Sequence, residues 1–371
     1  MRCGQFMLPS RLTTLVAAVV IAGRLQAQDT ATAPRAHANE PAPPAPAVQI
    51  DGLLQVWYLD GHTLTSAHDS YRVRRADIKL SGAISPRVRW RVSLDGAKLL
   101  TLTKSTTGSG DSTVLKDVAL DERTRILQEA SINVTIVPAL RLDVGQQIIP
   151  LSLEGVIAAS QIETIERAMF IAERNRGGGL GDVRDIGAAA RGSVADGSID
   201  YQIGLFNEMG ESQNNTDQND QKATIGRVAF RVPAFAALQL GASGGFEGGP
   251  LATQRHERAA GEAQLRTARL TLRSEIMGGR DGSARRLGYY GLGAVRPTPD
   301  VELVARWDAW DPDLHNESNA TDIAERQLIG GVNYFIEGGA TRLAANIVHS
   351  TFPSHAVAST TQLLFALQVV W

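Results

Sequence analysis

Leu363, Phe365, Leu367, Val369 and Trp371 share one parity at the carboxyl end of the chain, and Gln362 and Gln368 fall on the other. A period of two predicts a strand with one apolar face. The run stops on an aromatic, where chain ends ordinarily fray into polar coil; a bacterial outer-membrane barrel closes on such a strand. The same two-faced pattern recurs upstream. Val88, Trp90, Val92 and Leu94 oppose Arg87, Arg89, Arg91, Ser93 and Asp95; Ala130, Ile132, Val134 and Ile136 oppose Glu129, Ser131, Asn133 and Thr135; Leu270, Leu272 and Ile276 oppose Arg269, Thr271, Arg273 and Glu275.

Extending this reading predicts sixteen strands, at 48–59, 71–83, 86–96, 124–137, 139–149, 185–194, 198–206, 222–232, 235–246, 258–267, 268–278, 286–296, 300–310, 323–336, 340–349 and 361–371. Tight joins such as Ser85-Pro86 and Asp196-Gly197 alternate with long polar ones such as 207–221. A sustained 3.6-residue period is missing except for a short helical stretch around 157–172. About sixteen strands closed into a cylinder enclose a space too wide for side chains to fill. The polar face must then line water and the apolar face must meet lipid. The expected fold class is all-β: a transmembrane antiparallel β-barrel of about sixteen strands with an inward-folded third loop.

The amino end divides differently. Arg2 and Arg11 flank the start of an apolar run, Leu12–Ala22, and Leu25-Gln26-Ala27 offers a small-residue cleavage site. A run of eleven residues is too short for a spanning helix, which needs about 20, so 1–27 reads as a cleaved signal peptide for export to the outer membrane. Residues 28–47, with Pro41, Pro43, Pro44 and Pro46, read as an extended Ala/Pro-rich linker, and 48–371 as one barrel domain. Cys3, the one cysteine, precedes the apolar run, so the mature chain would hold no disulfide or thiolate ligand. A mean hydropathy of -0.11 suits a wall in which every second residue meets lipid. A net charge of -2 argues against a nucleic-acid partner.

Within that near-neutral total the basic residues are placed unevenly. Five of the 37 are lysine and the rest arginine. Parity places Arg75, Lys79, Arg87, Arg89 and Arg91 on the inner face of neighbouring strands as a basic ladder. Arg141, Arg191, Arg227, Arg231, Arg269 and Arg273 take inward parity elsewhere on the wall. Arginine stays charged and presents a planar donor fork to oxyanions, and such groups lining a pore select for anions. The same arginines could instead be neutralised by Asp77, Asp95, Glu129 and Asp143. Pro150–Arg184, 35 residues long, exceeds an ordinary surface loop. Folded into the lumen, it would carry Glu166, Arg167, Arg174, Arg176 and Arg184 to a constriction; the bland alternative is an extracellular loop.

Enzyme chemistry finds little support. The seven histidines show no zinc spacing, and Asp308, Asp311 and Asp313 read as a solvated loop rather than a calcium site. Gly177-Gly-Gly-Leu-Gly181 lacks the Gly-Lys-Ser/Thr ending of a phosphate loop, and no Gly-x-Ser-x-Gly elbow occurs. Neither a metal nor a cofactor is expected.

Arg74-Arg-Ala-Asp-Ile-Lys-Leu-Ser-Gly82 and Val144-Gly-Gln-Gln-Ile-Ile-Pro-Leu-Ser-Leu-Glu154, followed in order by Glu166-Arg-Ala168, Arg184-Asp-Ile-Gly187 and Gly204-Leu-Phe-Asn207, resemble elements of the phosphate-selective porin O and P family. The resemblance spans roughly 48–371. It implies a homotrimeric sixteen-stranded outer-membrane porin whose third loop folds inward and whose arginines and lysines guide small anions such as phosphate or polyphosphate. The chain departs from the family at Gln147, where an aromatic is usual, at Trp371, where phenylalanine is commoner, and in its scarcity of lysine. A general, carboxylate or sugar porin of the same fold, or a plugged structural barrel, are the alternatives.

Overall fold

The computed structural model describes residues 48–61, 69–100, 102–107, 114–120, 125–174, 177–210, 213, 217, 220–249, 255–315, 323–353 and 357–371. The predicted leader and linker, and Arg176, lie outside them. The strands are β1 (Gln49–Gly61), β2 (Ser70–Ala83), β3 (Val88–Asp95), β4 (Leu102–Thr107), β5 (Val114–Leu120) and β6 (Leu127–Val137). They continue as β7 (Leu140–Ile148), β8 (Arg184–Val194), β9 (Ile199–Phe206), β10 (Ala223–Arg231), β11 (Leu238–Glu247) and β12 (His256–Arg266). The last six are β13 (Leu270–Asp281), β14 (Ala284–Thr298), β15 (Val301–Asp311), β16 (Glu325–Ile336), β17 (Thr341–Thr351) and β18 (Thr360–Val370).

Among the described residues, sixteen of these strands close into one antiparallel barrel, each pairing with its sequence neighbour apart from two joins. The first is closure: β18 pairs β1 from Leu53↔Val370 to Gly61↔Gln362. The second is β3 with β6, which steps over β4 and β5; these pair only with each other, as a separate hairpin. All sixteen strands read from the alternation are present. The hairpin was not foreseen. The helix expected around 157–172 is reduced to single turns at Met169–Ala172 (α2) and Ala159–Gln161, with another, α1, at Leu153–Val156.

Alternation decides which face meets lipid. Leu363, Phe365 and Leu367 are outward and exposed, whereas Gln362, Leu364 and Gln368 are buried inside. Outward aromatics gather toward both ends: Tyr58 and Tyr71 meet at a tilt with centroids 4.7 Å apart near the long loops, and Trp90 and Trp371 lie near the short turns. Such girdles belong at the two membrane interfaces. Trp371 closes the cylinder on Gly52, whose N–H donates to the Trp371 carbonyl at 2.9 Å. A Cβ at Gly52 would lie 2.1 Å from the indole, so the glycine makes room for the ring.

Lipid-face charge has a depth-dependent cost, about 2–4 kcal/mol at the midplane and about 0–1 near the interface. Ile276, 52% exposed, sits mid-strand; Leu270 opens β13 beside its short turn. Ile276→Arg should therefore destabilise the barrel by about 2–4 kcal/mol and Leu270→Arg by about 1 or less, measured by denaturant unfolding in vesicles. Equal costs would contradict the placement of these two residues at different depths.

Candidate functional site in the barrel lumen

The segment Ile149–Val183 enters the barrel and leans on one side of it. Irregular backbone inside a closed wall needs partners for its N–H and C=O groups, and inward side chains of the strands supply them. Glu275 accepts from the Leu153 and Glu154 amides at 3.1 and 3.2 Å, Asp308 from Met169 at 3.0 Å and Asn346 from Ile165 at 2.7 Å. Carbonyls are met in turn: Arg342 donates to Ile162 at 2.6 Å, Asn333 to Glu163 at 2.7 Å, and Arg306 to Glu166 and Arg167 at 3.1 Å each. Ser152 caps α1 by accepting from Gly155 at 3.0 Å.

Apolar packing completes the seal. Met169, Phe170 and Ile171 of α2 are buried with Leu292, Val304 and Trp310 of the wall, and Phe170 stacks on Tyr290 at 6.2 Å. The inner face across β8–β15 is thus partly dry, which corrects the expectation of a wholly polar, water-lined interior. The glycine-rich return leg has a mechanical role. Gly181 crosses Gly155 so closely that a Cβ at Gly155 would lie 2.9 Å from the Asp182 nitrogen.

The wall formed by β2, β3, β6 and β7 stays open. Arg91 and Arg141 side chains are 54% and 43% exposed, against 0% and 1% for Arg273 and Arg306 beneath the loop. On this open side a β-bulge changes what parity predicts. Gln55 pairs with Arg75 but Val56 pairs with Val73, leaving Arg74 as an extra residue. Arg72 consequently turns to the same side as Arg75. Arg72 and Arg74 each place a guanidinium 5.3 Å from the centroid of buried Trp57, and Arg74 reaches Glu166 of the loop at 3.2 Å. Arg75 donates to Gln55 at 2.6 Å. Arg72, Arg74 and Arg75 thereby face the loop, although an unbroken alternation would turn only Arg75 inward.

The other sequence-nominated residues separate into groups. Arg87 and Arg89 are exposed and have no ion partner among the described residues; Lys79 is half-buried near Asp77 on the same wall. Arg91 pairs with Glu129 at 3.1 Å, and Asp143 holds both Arg141 at 2.8 Å and Arg191 at 2.5 Å. Neutralisation by wall carboxylates is therefore real for these three, whereas Asp95 is occupied by the Ala76 and Ala97 amides. Arg227 pairs with Glu262 and Arg231 with Asp200. A cavity of about 420 Å³ opens beside Arg141, Arg191, Arg227, Tyr201 and Gln202. Arg269 is exposed in the turn before β13, and Arg273 is locked to Glu163 at 2.9 Å. In the loop, Asp182 takes Arg167 at 3.1 Å and Arg184 at 2.9 Å, and its carbonyl accepts from Arg174 at 2.9 Å.

Asp308 departs from the solvated-loop reading: it is fully buried in β15, 3.4 Å from Arg306. Sequence reasoning also passed over Lys98, Asp182, Arg306 and Arg342. The adjacent charges Arg74-Arg75 are the one signal that could have exposed the bulge, since a regular strand cannot turn both inward.

Electrostatics at the loop follow from this crowding. Burial alone would raise the Glu166 carboxyl, but Arg74 and Arg75 outweigh it and hold the group down to about 2. Burial, helped by Arg184, pushes Lys98 down to about 8. Its charge is therefore present at neutral pH and lost as pH rises past 8. A lysine with a lowered folded pKa disfavours folding below that value, and the penalty is relieved toward its free value of about 10.4. Anion preference should fall between about pH 7 and 9, and Lys98→Met should remove that dependence. Reversal potentials across the range check it; an identical pH response in the variant would show that another group is responsible.

A sixteen-stranded barrel with a polar, loop-narrowed interior, apolar exterior and interfacial aromatics defines an outer-membrane porin, a non-enzymatic channel. The chain belongs to the phosphate-selective porin O and P family, whose model matches residues 48–245, more than half of it. No curated protein sequence matches. Among solved structures, the chain resembles an anion-selective porin from Comamonas acidovorans (10% identity, TM-score 0.59, 88% of this chain and 100% of that one). It likewise resembles OmpF of Salmonella typhi in complex with daunomycin (10% identity, TM-score 0.61, 87% and 97%). A third is the in-vitro folded trimer form of OmpT from Vibrio cholerae (11% identity, TM-score 0.55, 88% and 100%). At these identities the likeness is one of fold.

Proposed function

We propose that the chain is a homotrimeric, water-filled channel for passive diffusion of small anions, with phosphate or polyphosphate as the preferred solute, delivered to the outer membrane by a signal peptide removed at residue 27. One observation carries the reading: among the described residues, the wall left open by the loop presents five cations without an ion pair, Arg72, Arg75, Arg87, Arg89 and Lys98, against two carboxylates that no arginine engages, Asp77 and Asp95, while Glu129, Asp143, Glu166 and Asp182 are each paired with arginine. Positive charge therefore exceeds negative charge along the open path. The family description supports phosphate, and the trimeric OmpT relative supports the assembly.

Arg87, Arg89 and Arg91 lie on alternate residues, about 6.6–6.8 Å apart along the strand. An anion passing between them keeps a partner at each step, as conduction through weak sites requires. Replacing all three by Gln should lower anion preference and weaken phosphate block of KCl current, most visibly at low ionic strength, where screening is least. Arg87 and Arg89 should carry most of the effect, because Arg91 is already paired. A folded triple variant with unaltered reversal potential would remove the ladder from the path. A weaker preference, for carboxylates or sugars, is favoured by the sharing of Asp143 between Arg141 and Arg191; reversal potentials near zero would decide for it. Absence of single-channel current would decide for a plugged barrel.

A further inference from the structure

Four polar residues of the inner wall near the short turns lie in one register. Arg141 of β7 pairs with Arg191 of β8, Arg191 with Gln202 of β9, and Gln202 with Arg227 of β10. Side chains opposite one another in register share a face and a level, so the four form a row running across the strands. From Arg141 to Arg227 the row covers three strand intervals, about 14–15 Å. Thr135 of β6 extends it opposite Arg141, and Ser193 is the next inward residue of β8 toward the turn. In the other direction the next inward residues are Ala189 and Ile225, both buried in the core beneath the loop. The row therefore lines the cavity of about 420 Å³ below an apolar roof.

Each member of the row keeps a donor uncommitted. Asp143 takes Nε and Nη2 of Arg141, at 2.8 and 3.1 Å. Arg191 directs Nε to Asp143 at 2.5 Å and Nη2 to Gln147 at 2.8 Å. Glu262 takes Nε and Nη2 of Arg227. Among the described residues, Nη1 of all three guanidinium groups has no partner, and neither has the buried side-chain nitrogen of Gln202. A buried donor without an acceptor is unfavourable, and four uncommitted donors along one cavity suit a ligand rich in oxygen. Charge and size narrow the class. Arg141, Arg191, Arg227 and Arg231 face the carboxylates Asp143, Glu262 and Asp200, which leaves one positive charge over. A polyanion would bring several negative charges against that one. A single inorganic oxyanion would occupy little of a cavity whose volume falls in the range of roughly 300–1,000 Å³ that holds organic ligands. The hydroxyls of Thr135 and Ser193 and the amide of Gln202 match the alcohols of a sugar. We infer that the row is a binding site for a monoanionic sugar acid, with its carboxylate on Arg141 and Arg191 and its hydroxyls on Gln202, Arg227 and Ser193. The inference rests on the reading of the chain as an open channel and gives that channel a solute class besides phosphate.

Channel block tests it. Sodium glucuronate, added on the short-turn side of single channels in KCl, should reduce the wild-type current saturably. Glucose, which lacks the carboxylate, and propionate, which lacks the hydroxyls, should each need roughly tenfold or more higher concentration for the same block. Arg191→Gln should weaken glucuronate block by roughly tenfold or more. Gln202→Leu removes a donor that has no protein partner, so the wall loses no bond; it should weaken glucuronate block about threefold or more and leave phosphate block unchanged. Equal block by glucuronate and propionate, or by glucuronate and glucose, overturns the inference, as does wild-type glucuronate block in both variants. Glucuronate block without phosphate block would defeat the phosphate preference and support this site. A barrel that passes no current would defeat the channel reading instead. Calorimetric titration of the detergent-solubilised protein with glucuronate then decides the site: no saturable heat in wild type, or equal affinity in Gln202→Leu, overturns it.

Discussion

Replacing Glu163 by Ala should cost the barrel about 3–5 kcal/mol and turn a steady channel into a fluctuating one. Glu163 accepts two bonds from Arg273, at 2.9 and 3.0 Å, and the two side chains are only 3% and 0% exposed. Removing the carboxylate leaves a buried guanidinium with Gln264 as its remaining partner, at 2.9 Å. An uncompensated buried charge of this kind is what makes loss of one partner so much costlier than loss of both. Arg273→Met combined with Glu163→Leu should therefore recover most of the stability. The channel phenotype comes from the same contact: Glu163 and its carbonyl, held by Asn333, pin the middle of the loop to the far wall. Freed there, the loop moves into the open path. Denaturant unfolding and single-channel recording read the two effects. A loss below about 1 kcal/mol would place the pair in the range of surface ion pairs and deny it the anchoring role.

The barrel was legible in the sequence because its alternation is strict where lipid is the outer solvent. Leu363, Phe365, Leu367 and Val369 of β18, and Leu270, Leu272 and Ile276 of β13, share one parity, and a one-residue error in register would expose the polar face. The lumen was less legible for two physical reasons. Parity assumes an unbroken strand, and the bulge at Arg74 inverts it locally, so Arg72 and Arg74, which an unbroken alternation from Arg75 would turn outward, face Glu166 and Trp57. Inward polar residues also look alike whether they meet water or backbone. Arg273 and Arg91 have the same parity and chemistry; the first satisfies the loop and the second meets the lumen. Nothing local distinguishes them, because the difference is made by a segment 110 residues away, Glu163. The hairpin of β4 and β5 escaped notice because it lies outside the barrel and so has no lipid-facing parity to enforce.

Arg72, Arg74 and Arg75 changed together to Gln should produce the largest loss of anion preference of any substitution in the lumen. They converge on the loop that enters the lumen, and Glu166 is the carboxylate that faces them. An anion about 6 Å from one guanidinium gains on the order of 2–3 kcal/mol at an effective dielectric of about 20. Salt and Glu166 reduce that figure, but three such groups leave a net attraction that the ladder nearer the short turns, partly neutralised at Arg91 and Arg141, does not match. The permeability ratio of anion to cation should fall by roughly tenfold or more, with the steepest change at low ionic strength. Glu166→Gln should move the ratio the other way, because it removes the counter-charge and leaves all three arginines in place. Opposite shifts in reversal potential from neighbouring residues cannot arise from a general loosening of the barrel, which would drive both variants toward zero selectivity. Shifts of the same sign from the two variants would locate the selectivity element elsewhere on the wall.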